Sequence, residues 1–248
     1  MKNLTTKLSL AAALTLAMGT LVAPVAHAEE AVPDHVVAYN IAVASDYRYR
    51  GLTQSRFEPA LQGGADYTHN PSGMYAGVWA STIKWIDDAG GDANVEIDLY
   101  GGKRGDIGGG FSYDVGGLYY LYPSNGLETS ANTFELYGQV SYGPGYVKYS
   151  HATTNLFGTA DSKGSGYLDI GANIELSKGL LLNLHAGRQR VAHNGMYTYN
   201  DYKIGVTKDF GFMSVALAGI KTNTDIFLTP QGKNMGKSGL VLTVSKTF

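Results

Sequence analysis

The chain has 248 residues, with 19 Lys and Arg against 21 Asp and Glu, 44% apolar residues and no cysteine. That charge balance lacks the concentrated basic excess of a nucleic-acid binder. Without cysteine neither a disulfide nor a thiolate–metal site holds the fold, and the apolar content is too high for a disordered chain.

Lys2 and Lys7, the apolar run from Leu8 to Met18 and the small residues of Ala26-His27-Ala28 read as a Sec signal peptide over residues 1–28. Later in the chain nothing approaches the roughly 20 continuous apolar residues that a membrane helix needs. Residues 29–36 are expected to form a periplasmic N-terminal segment. From residue 37 to 248 the chain repeats one rhythm, about ten residues of alternating polarity and then a Gly, Asn, Asp or Pro cluster, which is the pattern of strands joined by turns. Abundant glycine and tyrosine, 33 and 18 residues, fit such a fold.

The first predicted strand, 37–50, places Val37, Tyr39, Ile41, Val43 and Tyr47 on one face. Its end reads Ser45-Asp46-Tyr47-Arg48-Tyr49-Arg50-Gly51. Successive strand side chains point to opposite faces, which sets Tyr47 and Tyr49 toward lipid at the outer rim and Asp46, Arg48 and Arg50 toward an interior. Further strands are predicted at 59–68, 74–85, 93–103, 109–122, 133–142, 146–157, 166–176, 180–190, 198–208, 212–222 and 237–248. In the third, Val78 and Trp79 compete for the apolar face. The eighth alternates most cleanly, with Leu168, Ile170, Ala172, Ile174 and Leu176 opposing Tyr167, Asp169, Gly171, Asn173 and Glu175.

Short turns at 69–73, 104–108, 143–145, 177–179 and 209–211 alternate with longer loops at 51–58, 86–92, 123–132, 158–165, 191–197 and 223–236. Short connections at one end and long ones at the other describe an outer-membrane barrel. The last strand sets Leu240, Leu242, Val244 and Phe248 on one face and ends in Phe, as in barrels delivered to the outer-membrane assembly machinery; Lys246 interrupts that face and can snorkel to the interface. Two aromatic girdles are expected, with Tyr67, Tyr142, Tyr146 and Phe210 at the short-turn end and Tyr49, Trp85, Tyr122 and Tyr197 at the long-loop end. The sequence thus predicts an all-β fold, a transmembrane antiparallel up-and-down β-barrel of about 12 strands.

Three stretches carry a resemblance: Ser45 to Gly51, Pro59-Ala60-Leu61-Gln62-Gly63-Gly64, and Gly73-Met74-Tyr75-Ala76-Gly77-Val78-Trp79-Ala80-Ser81. Together they resemble the TorF-like porins, the Gcw_chp family of exported glycine- and tryptophan-containing bacterial outer-membrane proteins. The motifs cover the first three strands, and the remainder agrees in length, rhythm and terminal Phe. Ala80 stands where Gly is expected, and tryptophan is sparse. The resemblance implies an outer-membrane barrel and brings neither a substrate nor functional residues with it.

Face parity assigns thirteen charged residues to the lumen: Asp46, Arg48, Arg50, Asp66, Glu96, Asp98, Asp114, Glu135, Lys148, Asp169, Glu175, Asp201 and Lys203. Acids outnumber bases, and charge in a narrow pore selects for the opposite ion. The expected function is therefore a narrow, weakly cation-preferring channel for passive diffusion of small hydrophilic solutes. Its expected partners are outer-membrane lipid, the assembly machinery through the strand ending at Phe248, and those solutes, with no nucleic acid, metal or cofactor. In the alternative, Arg48 and Arg50 brace the walls through bidentate ion pairs, giving a structural or adhesive barrel with an occluded lumen. An enzyme would need a Ser/His or Asp/His arrangement; His151, His185 and His193 are the residues to inspect, and no local catalytic signature surrounds them. Arg104-Gly105-Asp106 falls on a predicted periplasmic turn, where an adhesion tripeptide is a chance match. Asp87, Asp88 and Asp92 lack a full Ca²⁺ ligand pattern.

Overall fold

A computed structural model describes residues 33–248. The signal peptide read over 1–28 lies outside the described residues. Strand β1 (His35–Ala44) is followed by a small pair, β2 (Arg48–Tyr49) and β3 (Leu52–Thr53). Next come β4 (Ala60–His69), β5 (Met74–Thr82), β6 (Val95–Gly108), β7 (Phe111–Leu121), β8 (Thr133–Tyr142) and β9 (Gly145–Ala152). The chain continues through β10 (Gly166–Ser177), β11 (Leu180–Arg190), β12 (Tyr199–Asp209), β13 (Ser214–Thr222) and β14 (Gly239–Thr247). All but β2 and β3 form one closed antiparallel barrel in sequence order, twelve strands in all. It closes where Val43 of β1 lies opposite Val244 of β14. Closure pairs every barrel-strand edge, the condition for sheet in hydrocarbon.

Alternation orients the barrel as predicted. Val37, Tyr39, Ile41 and Val43 are all exposed on the outside, and Leu168, Ile170, Ile204 and Leu242 continue the apolar wall. The competition in β5 is resolved with Trp79 buried inside and Val78 exposed outside. Inside, tyrosines lie flat over glycines of the neighbouring strand: Tyr100 over Gly77, Tyr75 over Gly102, Tyr137 over Gly116 and Tyr146 over Gly171. A Cβ on Gly77 would come within 2.5 Å of the Tyr100 ring. Part of the glycine and tyrosine content serves this interior packing.

Four strand ends differ from the sequence reading by three residues or more, one of them that of β9, which stops at Ala152 and not at 157. β1 ends at Ala44, not at residue 50. The Ser45 N–H still donates to the Leu242 carbonyl at 2.8 Å, and there the ladder stops. Arg50 and Gly51, with φ of 45° and 80°, then reverse the chain. β6 runs through the expected turn at 104–108 to Gly108, because Gly108, Gly109 and Gly110 all hold positive φ and set the turn further on. Arg104-Gly105-Asp106 is therefore strand. The third strand stops at Thr82, and Trp85–Asp88 form the short helix α1.

The girdle is as expected at the short-turn end for Tyr67, Tyr142 and Phe210, which are exposed. Tyr146 instead faces the lumen. At the long-loop end Tyr122 is buried, and Tyr49 and Trp85 pack against the same interior cluster. Outward aromatics toward that end are Tyr119, Phe134, Tyr149 and Tyr202.

Candidate functional site: an infolded loop and the lumen below it

Residues 45–59 form the first long connection, and they fold into the barrel rather than standing above it. The Arg50 guanidinium donates to Glu135 Oε2 on β8 and to Gln189 Oε1 on β11, each at 2.6 Å. Tyr49 and Tyr120 of β7 share a hydroxyl–hydroxyl bond of 2.5 Å. The Tyr47 hydroxyl donates to Glu96 of β6 at 3.3 Å, and its ring meets Trp79 of β5 edge-on. Gly51 sits so close to Asp201 and Thr222 that a Cβ would clash with both. One loop thus touches the wall from β5 round to β13.

The loop is also tied to its neighbours at the outer end. Arg48 pairs with Asp46 at 2.5 Å and donates to the carbonyls of Gly51, Met235 and Lys237 at 3.0–3.1 Å. Thr53 Oγ1 donates to the same Asp46 carboxylate at 2.5 Å. The Gln54 carbonyl accepts from the Lys84 and Trp85 N–H groups. Arg56 takes Asp87 and Asp88, the former at 3.1 Å, so these acids serve an ion pair. Lys84 bonds Glu58 at 2.5 Å and holds that exposed carboxyl below the usual carboxylate range.

Beneath the loop lies a cavity of about 220 Å³, lined among others by Arg48, Arg50, Tyr146, Lys148, Tyr167, Asp169, His185, Asp201 and Lys203. Pockets that enclose small molecules usually reach roughly 300–1,000 Å³, so this space is tight. His185 is bracketed on both ring nitrogens, by Asp169 at 2.8 Å and Asp201 at 2.7 Å. Tyr167 donates to Asp201 at 2.9 Å, and Arg50 lies over the Tyr167 ring at 4.3 Å. Lys148 sits over the Tyr137 ring at 4.1 Å.

Closer to the short-turn end, Asp66 accepts from Tyr100, and Asp114 accepts from Tyr75 at 2.5 Å. Glu175 shares the inward parity but lies exposed at the rim. Glu96 and Asp98, neighbours on one face of β6, are both buried. Neither has an ion-pair partner among the described residues.

All thirteen predicted residues therefore lie on inward strand positions or on the infolded loop. Tyr47 and Tyr49 do not face lipid: once the chain leaves the sheet at Ala44, alternation no longer refers to the barrel wall. Arg104 also points inward, donating to Thr68 at 3.2 Å, and was hidden by its placement in a turn. Gln189 and Tyr120 were missed because a charge-only list passes over neutral partners. Of the histidines, His185 faces the lumen, while His151 and His193 are exposed.

The family described as a bacterial protein of unknown function (Gcw_chp) matches residues 27–248. No curated protein matches the sequence. Among solved structures the chain is similar to the NanC porin, with a TM-score of 0.56 at 7% identity over 86% of this chain and 99% of that one. It is similar also to the KdgM porin, with a TM-score of 0.54 at 6% identity over 86% and 97%. A second KdgM structure, described as in complex with disordered oligogalacturonate, gives 0.52 at 6% identity over the same shares. At these identities the likeness is one of fold.

Proposed function

From a chain that belongs to the Gcw_chp family and carries its first long loop inside a closed barrel, we propose an outer-membrane channel for passive diffusion of small hydrophilic solutes, narrowed by that loop. The observation that carries this reading is the closed twelve-strand barrel with its strand carboxylates turned inward. The bond of Arg50 to Glu135 and Gln189 on well-separated strands, the bracing that the alternative reading expects, seats the loop across the lumen and narrows it. Likeness to porin folds supports it. The tyrosine–glycine packing lines the wall and leaves a polar interior.

The loop is built to be displaced as well as seated. Glu96 and Asp98 lie buried side by side, Glu96 accepting from the Tyr47 hydroxyl, and neither has an ion-pair partner among the described residues. Burying carboxyl groups without a counter-charge is unfavourable, so lifting the loop returns hydration to them. Arg48, Arg50 and Arg56 oppose this by anchoring it.

The pore is weakly cation-preferring. Asp66, Asp114, Asp169, Glu175 and Asp201 face the path below the loop, against Lys148, Lys203 and Arg104. The preference is weak because the two lysines stand at the tight cavity itself. His185 has the Asp/His arrangement named above, yet both its ring nitrogens are engaged by Asp169 and Asp201, so we read this pair as part of the wall and the protein as a conduit. Planar bilayers test both points: discrete conductance steps are expected, with a reversal potential across a KCl gradient displaced toward the potassium potential. Displacement toward chloride would remove the cation preference, and silent bilayers with correctly folded protein would remove the channel.

A further inference from the structure

The strand carboxylates all share the inward parity, whereas the charged side chains at outward strand positions are basic. Those near the long-loop end gather on one side: His151 on β9, Arg188 and Arg190 on β11, and Lys221 on β13, all exposed. Register places them together. Gly166 lies opposite both His151 and Arg190, and Asn200 lies between Arg188 and the region of Lys221, which faces Tyr202. With strands about 4.8 Å apart and two-residue steps of roughly 7 Å, the two arginines adjoin. His151 and Lys221 flank them two strands away on either side.

The two arginines are held only by neutral groups. Arg188 donates to the Asn200 side chain at 3.1 Å and Arg190 to the Gly164 carbonyl at 3.4 Å. Among the described residues Arg188, Arg190 and Lys221 have no carboxylate partner. Immediately below them the same wall is apolar, with Leu168, Ile170, Ile204 and Val206 exposed. A basic row above an apolar wall complements a molecule that is anionic at one end and hydrocarbon at the other. A free anion would have no use for the wall, and a soluble acidic protein would not reach it.

We propose that this patch binds the phosphorylated headgroup of an anionic lipid of the outer leaflet, with guanidinium–phosphate hydrogen bonds above and acyl chains on the wall beneath. The assignment rests on the reading of the barrel as membrane-spanning. The test uses the full-length barrel purified in a neutral maltoside detergent and titrated with diphosphorylated lipid A in mixed micelles, with binding read by native mass spectrometry and by the rise in unfolding temperature. The R188Q/R190Q/K221Q variant should bind at least tenfold more weakly. K103Q/K208Q/K246Q, an equal charge change near the other end, should bind as wild type does. The single variants R188Q and R190Q should each lose a few-fold, which keeps the test valid if the triple variant fails to fold. Equal binding by wild type and R188Q/R190Q/K221Q would overturn the proposal, as would full competition by inorganic phosphate, which marks a free-anion site. A wild-type protein that stays monodisperse without detergent would instead overturn the membrane reading beneath it.

Discussion

Arg50 is the residue on which the infolded loop turns. It sits at positive φ, stacks on Tyr167 and joins Glu135 to Gln189 in a region with almost no solvent exposure. Removing one partner of a buried pair leaves the other charge uncompensated, at a cost of about 3–5 kcal/mol, while replacing both with apolar groups of similar volume is often neutral. R50A should therefore lower the unfolding temperature markedly in detergent, and R50M/E135L should recover most of the loss; failure of the double variant to recover would place Arg50's contribution outside this pair. The tyrosine–glycine packing makes a second residue-scale prediction. G77A forces a methyl into the Tyr100 ring, which Asp66 holds in place, and such overpacking costs about 1–3 kcal/mol. G138A, whose nearest neighbour would be 3.8 Å away, should change the unfolding temperature little, and equal losses in the two variants would refute the packing argument.

At the scale of the element, the 45–59 segment was the part least legible in the sequence. Alternation through Tyr47-Arg48-Tyr49-Arg50 is as regular as in any wall strand, so it reads as strand. Nothing local reports that Ser45 ends the ladder or that Glu135 and Gln189 wait across the lumen. Where alternation did refer to the wall, as in 166–176 and 180–190, strand bounds and faces were legible almost to the residue. Trp79 against Val78 needed the closed barrel to decide, since only closure says which side is small and filled. The element also carries its own prediction. E96Q/D98N relieves the uncompensated carboxyl groups under Tyr47, so the loop should seat more firmly and channel openings should become rarer; more frequent openings would contradict the displaceable-loop reading.

For the whole molecule, a twelve-strand barrel falls between narrow barrels filled by side chains and wide ones that hold an aqueous channel, and here a loop and a tyrosine lining take up the difference. The strand count, the alternation of short and long connections and the inward charges of the wall strands followed from period-two patterning and turn residues, whereas Asp46, Arg48 and Arg50 lie inside through the infolded loop, which that patterning does not describe. The seating of the 45–59 loop in the outer half did not, because it depends on contacts between residues far apart in the chain. The most direct measurement compares single-channel conductance of the wild-type barrel with that of a variant in which residues 46–57 are replaced by a short Gly/Ser linker. Small, intermittent steps are expected for the wild type and steady steps several-fold larger for the variant. Equal conductance in the two would show that the loop does not limit the pore and would contradict the account.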